Sequence, residues 1–102
     1  MVKILEKDIQ RDIIQYLQLK RIFHYKNNTT GIYQQKTGHY IPSQSVGAPD
    51  IVVVRDGIYI GIEVKRPGSK LSPHQEAFRD NLQKAGGYYF VVYDLSDVME
   101  II

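Results

Sequence analysis

Apolar residues recur along this chain with two different periods, and each period predicts a different kind of element. Across residues 9–17 they recur at the spacing of one helix face, which predicts an amphipathic helix over residues 5–22. Residues 51–64 are instead a nearly continuous β-favouring run that folds back at Asp56 and Gly57. Because this dipeptide suits a two-residue type I′ turn, the run predicts a β-hairpin.

The C-terminal half alternates between helix and strand signals. Residues 72–85 predict a helix, because Ser72 and Gln75 form a capping box of the Ser-x-x-Gln type. The buried side of this helix is expected to carry Ala77, Phe78, Leu82 and Ala85. The helix would cross between strands predicted at residues 58–65 and 88–93, which makes the two strands parallel. The predicted fold class is therefore α/β, with a mixed central β-sheet flanked by α-helices.

If Asp56 and Gly57 form the turn, counting along both strands sets the register of the hairpin. Asp50 then lies directly opposite Glu63. The Cβ atoms of such cross-strand neighbours are about 4.5–5.5 Å apart, and two like charges placed so are destabilising. A divalent cation bound between the two carboxylates would reverse the sign of that contribution. The register therefore predicts a site for a hard metal ion at the open end of the hairpin.

Alternation along the second hairpin strand separates its core side chains from its chemically active ones. Glu63 and Lys65 are expected to project side by side into a solvent-accessible cleft, with Gly61 leaving space below them. Carboxylates hold Mg²⁺, which activates water for phosphodiester hydrolysis, and a lysine orients that water or neutralises charge. The simpler alternative is a solvated sheet face with a weak ion pair, and ordinary turn chemistry at Pro49 and Asp50.

The opening helix carries a carboxylate in an unexpected place. Glu6 continues the apolar stripe of the helix, where an acidic side chain is out of place unless it serves a site beneath it. An acid near a helix N-terminus also stabilises the helix through its macrodipole. From the sequence, Glu6 is therefore either a third acid of the site or a helix-end charge.

Composition narrows the class of protein without identifying it. The chain has 102 residues, 43% hydrophobic and 24% charged, as expected of one small globular domain over residues 1–102. It has no cysteine, which excludes disulfides and thiolate zinc sites. No apolar run approaches the roughly 20 residues of a membrane span, and no signal-peptide pattern opens the chain. We therefore expect a cytoplasmic protein that does not contact membranes.

The net charge is only +2, but the basic residues are unevenly distributed. No acidic residue lies between Asp12 and Asp50. Basic side chains interleaved with aromatic ones suit contact with phosphates and bases. The candidate nucleic-acid contacts in this stretch are Lys20, Arg21, Lys26, Tyr33, Lys36 and Tyr40. The alternative is a solvated loop whose tyrosines pack on the core.

Several of these motifs resemble those of a known nuclease family. A Pro-Asp pair followed by Glu-x-Lys matches the signature of the PD-(D/E)XK nuclease superfamily. The fuller pattern resembles the virus-type replication-repair nuclease (VRR-NUC) domain of the stand-alone type. The elements that carry this resemblance are, in chain order, Glu6, Gln10, Gly47-x-Pro49-Asp50, Glu63-Val64-Lys65 and Gln75. The resemblance implies a restriction-endonuclease-like core.

The resemblance also implies roles for the residues of the central motif. Asp50, Glu63 and the backbone carbonyl of Val64 would ligate Mg²⁺ or Mn²⁺. Lys65 would position or activate the attacking water. The implied activity is that of a metal-dependent DNA endonuclease without a small-molecule cofactor.

Further implications concern two outer residues and the partners. Glu6 would assist from the opening helix, and Gln75 would help to hold the site or a phosphate, although capping alone accounts for Gln75. Stand-alone members of the family imply a homodimer that acts on branched DNA such as Holliday junctions. A catalytically silent nucleic-acid-binding domain and a small interaction module are the competing hypotheses.

Overall fold

The computed structural model describes residues 4–27, 32–34, 39–41 and 46–102 of the chain. These ranges contain helices α1 (Glu6–Leu19), α2 (Pro73–Lys84) and α3 (Leu95–Ile101). They also contain strands β1 (His24–Lys26), β2 (Ile32–Gln34), β3 (His39–Ile41), β4 (Ile51–Arg55), β5 (Ile58–Val64) and β6 (Tyr88–Val92). Of the helices in these ranges, none is long and apolar enough to cross a membrane.

The main sheet is mixed, as the sequence predicts. Its strands lie in the order β1-β4-β5-β6, and β2 and β3 pair with each other in a second, two-stranded sheet. β5 and β6 are parallel, whereas β4 is antiparallel to both β1 and β5. α2 connects the two parallel strands, so the predicted crossover and the α/β fold class are confirmed.

The predicted hairpin register is also confirmed. Arg55 pairs with Ile58, and the antiparallel ladder continues pair by pair to Ile51 and Ile62. Asp56 and Gly57 form the turn with φ angles of 53° and 77°. Two consecutive positive φ values define the type I′ turn that matches the twist of the flanking strands.

The two sides of the main sheet differ in chemistry, and we name them the apolar face and the polar face. The apolar face is covered by α1 and α3 and forms the core from Ile9, Ile13, Leu17, Ile51, Val53, Ile62, Val64, Val92 and Val98. Each such side chain stabilises the fold by about 1.5–3 kcal/mol when fully buried. The polar face carries α2 and the alternate strand positions, among them Val52, Tyr59, Gly61, Glu63, Lys65 and Tyr89.

The opening helix is shorter than the predicted span of residues 5–22. It ends at Leu19 because Arg21 adopts a left-handed conformation with φ of 56°. The N–H of Ile22 then donates to the carbonyl of Leu17 at 3.0 Å, and Arg21 N–H donates to Gln18 at 3.1 Å. This bonding pattern is a Schellman motif, which satisfies the last carbonyls of a helix and reverses the chain.

The helix α2 is also less buried than predicted. Ala77 and Ala85 are exposed, and no residue of α2 is fully buried. Tyr88 and Tyr93 at the ends of the β6 segment are likewise exposed. α2 lies over one edge of the sheet and contacts mainly β6, so only a narrow stripe of the helix is covered.

Candidate active site

The candidate site lies on the polar face, where the β4–β5 ladder ends. Asp50 immediately precedes β4, and the hairpin register continues by one position to place it opposite Glu63. The Oδ2 atom of Asp50 accepts a hydrogen bond from the Val64 N–H at 2.9 Å. The Asp50 carbonyl accepts one from the Asn27 N–H at 2.8 Å. Asp50 is therefore held between β1 and β5.

Among the Asp, Glu, Lys and Arg residues that the structure describes, only Glu63 is buried. Its side chain is only 4% exposed, so the expectation that Glu63 projects into a solvent-accessible cleft is wrong. The alternative of a solvated Glu-Val-Lys face fails for the same reason. Burial first, and then the charge of Asp50, raise the pKa of Glu63 from 4.5 to about 8. The protein thus holds a carboxylate where ionisation is unfavourable.

The two oxygens of Glu63 have neutral partners. Gln75 Nε2 donates to Oε2 at 3.1 Å, and the Tyr89 hydroxyl lies 3.5 Å from Oε1, a long hydrogen bond. None of the ion pairs among the described residues involves Glu63 or Asp50. In the part of the chain that the structure describes, no guanidinium or ammonium group therefore lies within ion-pair distance of the two carboxylates.

Gln75 serves two structural purposes at once. Its Oε1 accepts from the backbone N–H of Ser72 at 2.9 Å, and its own N–H donates to Ser72 Oγ at 3.2 Å. This is the predicted capping box. Its remaining amide nitrogen donates to Glu63. Capping alone therefore does not account for Gln75, because one side chain joins the start of α2 to the buried carboxylate.

Two glycines allow the loop before Asp50 to pack tightly. A Cβ atom at Gly47, where φ is +86°, would lie 2.2 Å from the carbonyl oxygen of His74. A Cβ atom at Gly61 would lie 2.6 Å from Pro49 Cγ. Pro49 therefore fills the space above Gly61. The prediction that Gly61 leaves open space in a cleft is wrong. The packing fixes the backbone that presents Asp50.

Tyr89 was not identified from the sequence. It pairs with Gly61 in the parallel ladder, so it shares the polar face with Glu63. Its hydroxyl lies 3.4 Å from the Gly47 carbonyl as well as 3.5 Å from Glu63. Burial and the neighbouring carboxylates raise the pKa of Tyr89, which keeps the phenol protonated. The alternation of residues 88–93, combined with the parallel register, was the signal that could have revealed it.

Lys65 and Glu6 affect Glu63 through their charges. Lys65 is partly buried beyond the end of β5, and its charge lowers the pKa of Glu63. Glu6, the first residue of α1, acts in the opposite direction. Within the described ranges, no three His, Cys, Asp or Glu side chains are grouped closely enough to hold one metal ion. Glu6 therefore lies near the pair without joining it.

The candidate nucleic-acid contacts are only partly described by the structure. Lys20, Arg21 and Lys26 are exposed near the end of α1 and on β1. Tyr33 and Tyr40 are paired through their backbones in the β2–β3 sheet, and Lys36 lies outside the described residues. The structure does not bring the three described basic side chains to the carboxylates. Lys26 projects to the apolar face, because it pairs with Ile51.

The donor atoms at the site suit a hard divalent cation. The N–H and C=O of one strand residue point to the same side of the strand, so the Val64 carbonyl is directed toward Asp50. Two carboxylates and a carbonyl form an all-oxygen set, as Mg²⁺ and Mn²⁺ prefer. A cation would also compensate the repulsion that raises the pKa of Glu63. The residues therefore fit the metal that the motif implies.

Comparison with known proteins identifies the class. The family model of the VRR-NUC domain matches residues 5–94. The chain therefore belongs to the VRR-NUC domain family, a family of nucleases. A solved structure described as a "VRR_NUC domain protein" has a TM-score of 0.72 and 17% identity, covering 98% of this chain and 86% of that chain. A search of curated proteins found no significant match. The predicted family and fold class are confirmed.

Proposed function

We propose that this chain is a Mg²⁺- or Mn²⁺-dependent DNA endonuclease whose active site is formed by Asp50, Glu63 and Lys65. The observation that carries the proposal is the 4% exposed Glu63 carboxylate placed opposite Asp50 without an ion-pair partner among the described residues. Burying a carboxylate in this way costs stability unless it is compensated. Such arrangements concentrate at functional sites. Family membership supplies the reaction class, cleavage of a nucleic-acid phosphodiester.

Each residue of the pair has a defined part in this proposal. Asp50 and Glu63, with the Val64 carbonyl, would hold the cation. When bound, the cation polarises the scissile phosphate and acidifies a water molecule. Gln75 fixes Glu63 by donating to Oε2, which leaves Oε1 with only the long contact to Tyr89. Glu63 is thereby oriented before any substrate arrives.

Lys65 supplies the positive charge that the carboxylates lack. By strand alternation it shares the polar face with Glu63, and its ammonium group would orient the attacking water or neutralise charge on the phosphate. Glu6 would act through an outer position, because it lies near the carboxylates without being grouped with them. Its negative charge would help to orient water around the cation.

We extend the proposal to branched DNA, including Holliday junctions, and to a homodimer. Two copies of the site related by twofold symmetry would make the two cuts that a symmetric junction requires. Exposed Lys20, Arg21 and Lys26 support contact with the phosphates of the arms. These residues lie in a stretch, between Asp12 and Asp50, that has no acidic side chain.

A cleavage assay tests the proposal. A labelled four-way junction and a linear duplex of the same sequence are incubated with Mg²⁺, Mn²⁺ or EDTA, using wild type, Lys65→Ala and Lys70→Ala. Lys70 is an exposed lysine outside the site and serves as the matched control. We expect metal-dependent cleavage that is lost in Lys65→Ala and kept in Lys70→Ala.

The other outcomes separate the parts of the proposal. Cleavage of both substrates would retain the chemistry and remove the junction selectivity. Cleavage in EDTA, or unchanged cleavage by Lys65→Ala, would contradict the assigned site. Absence of cleavage together with tight junction binding would favour the silent binding domain.

A further inference from the structure

Beside the carboxylate pair, the polar face carries aromatic side chains that the site does not use. Tyr25 on β1 pairs with Val52 on β4. Val52 in turn pairs with Gly61 on β5. Because paired residues project to the same side of a sheet, Tyr25 lies on the polar face, in the row next to that of Asp50 and Glu63.

Two backbone hydrogen bonds extend this register beyond the three pairs of β1. The Val54 N–H donates to the Phe23 carbonyl at 3.3 Å, and the Asn27 N–H donates to the Asp50 carbonyl at 2.8 Å. Both bonds occur at alternate positions of the same antiparallel pairing. Phe23 and Tyr25 therefore share one face with Asp50.

These two rings are open to solvent. Phe23 is 68% exposed and Tyr25 is 49% exposed. Tyr59 lies in the same row as Phe23, because both are opposite Val54. Burial and then the neighbouring Tyr25 raise the pKa of Tyr59 to about 12. The Tyr59 Cε1 atom reaches to within 3.5 Å of where a Cβ of Gly61 would be. We call Phe23, Tyr25 and Tyr59 the aromatic strip.

The aromatic strip is continuous with the candidate site. Asn27 is opposite Asp50 in the extended register, so Tyr25 is the diagonal cross-strand neighbour of Asp50. Diagonal neighbours are about 7–8 Å apart, a separation that aromatic side chains span. A nucleotide next to a phosphate held at Asp50 would therefore meet the Tyr25 ring first and Phe23 beyond it.

We propose that the aromatic strip stacks unpaired nucleobases beside the scissile phosphate, so that the site favours DNA whose bases are unpaired next to the cut, in a single-stranded segment or where strands exchange at a junction. The inference rests on the proposed nuclease function for the position of the phosphate. Aromatic rings bind the π-faces of bases, and these faces are accessible in single strands but covered in a paired duplex. A fully paired linear duplex would leave the strip without a partner.

Charge favours nucleic acid over another protein surface as the occupant. Between Asp12 and Asp50 the chain has four Lys or Arg residues and no acidic one. Two of the four, Lys20 and Arg21, are exposed just before the strip residue Phe23, whereas Lys26 pairs with Ile51 and projects to the apolar face. Exposed aromatic rings next to cations are the combination used to bind single-stranded nucleic acid.

Binding of a fluorescent single strand tests the inference independently of cleavage. The probe is a short oligonucleotide containing 2-aminopurine, whose fluorescence is quenched by stacking, with a duplex of the same sequence as reference. EDTA is present throughout. The variants are Tyr25→Ala, Tyr25→Leu and Tyr88→Ala. Tyr88 is a matched control, because it is a 51% exposed tyrosine on the opposite edge strand and the apolar face.

We expect wild type and Tyr88→Ala to bind and quench the single strand. Tyr25→Ala should bind it about tenfold more weakly, the effect of one lost base–aromatic stack, with duplex binding unchanged. Tyr25→Leu retains apolar bulk without a π-face and should lose quenching equally, which separates stacking from a folding defect.

Equal quenching by all four proteins would overturn the inference while leaving the nuclease proposal intact. So would a change from dimer to monomer in Tyr25→Ala, measured by sedimentation, because the strip would then be a self-association surface. Loss of quenching in Tyr25→Ala together with inactivity of the wild type would support the strip and contradict the nuclease proposal.

Discussion

The two faces of the main sheet are formed by the same strands, but one buries aliphatic side chains and the other buries a carboxylate. On the apolar face, Ile62 and Val64 are fully buried among aliphatic side chains of α1 and α3. On the polar face, Glu63 is almost as deeply buried but lies beside a second carboxylate. Adjacent residues of one strand therefore have opposite energetic effects, and the face with the main hydrophobic core is not the face that carries the proposed site.

The comparison explains why the small domain tolerates an unfavourable site. The main hydrophobic cluster lies on the apolar face, although Val52 and Tyr89 on the polar face are also buried. Changes on the apolar face should therefore affect stability first and activity only as a consequence. Changes on the polar face should affect activity first and should in some cases increase stability.

The largest expected effect on stability is at the apolar face. Ile62→Ala removes a fully buried side chain and should lower the free energy of unfolding by about 2–5 kcal/mol. Urea denaturation, with the exposed Ile58→Ala as control, measures it. A loss below about 1 kcal/mol would mean that this face is not the main source of stability.

Gly47→Ala should have the second largest effect on stability, because Gly47 packs against the start of α2 in the loop that leads to Asp50. The new Cβ would lie 2.2 Å from the His74 carbonyl at a φ of +86°. We expect a loss of about 1–3 kcal/mol and reduced cleavage. Gly57→Ala is the matched control, since its φ is +77° but no atom lies within 4 Å of the new Cβ. Equal losses in both variants would attribute the effect to backbone strain alone.

Glu63→Gln should show how much stability the buried carboxylate costs, because the variant changes how the free energy of unfolding depends on pH. The folded-state pKa of Glu63 is raised to about 8 from 4.5, so the folded state binds this proton more tightly than the unfolded state. Wild-type stability should therefore fall as pH rises from 4.5 to 8, and Glu63→Gln should not show this fall.

In EDTA, the variant should become more stable than the wild type by about 1–3 kcal/mol at the upper end of that range. Unfolding curves at several pH values measure the difference, with the exposed Glu76→Gln as control. Parallel pH profiles for wild type and Glu63→Gln would contradict the assigned burial cost.

The smallest expected effect separates the two roles of Gln75. Ser72→Ala and Gln75→Ala each break the capping box and should each cost about 1 kcal/mol. Only Gln75→Ala also removes the donor to Glu63, so only this variant should lose cleavage beyond what its stability explains. Equal activities in the two variants would reduce Gln75 to a helix cap.

The sequence predicted those parts of the site that depend on local rules. The turn at Asp56 and Gly57 fixes the hairpin, and the register counted from it is found as far as Ile51 and Ile62, one position before Asp50 and Glu63. The capping box at Ser72 and Gln75 was equally readable, because it depends on residues three positions apart. These features are set by neighbouring residues and need no knowledge of tertiary packing.

The parts that could not be predicted depend on how distant elements dock. Glu63 is buried because Tyr89 and Gln75 approach it from β6 and α2. Pro49 occupies the space above Gly61, and the hairpin pattern alone contains no information about that contact. Similarly, α1 ends early because Arg21 adopts a left-handed conformation. An arginine does not predict this conformation, which glycine and asparagine favour.

Thermal melting with and without Mn²⁺ tests the central claim, that the polar face is a metal site maintained at a cost in stability. The comparison uses wild type and Asp50→Asn at pH 8.5, above the raised pKa of Glu63, so that both carboxylates of the wild type are largely ionised. Without metal, we expect Asp50→Asn to melt at or above the wild-type temperature, because the like-charge pair is relieved. With Mn²⁺, the wild type should rise by several degrees and the variant should not, because only the wild type retains the binding site. Equal shifts in the two proteins, or a much lower metal-free melting temperature for Asp50→Asn, would contradict the account.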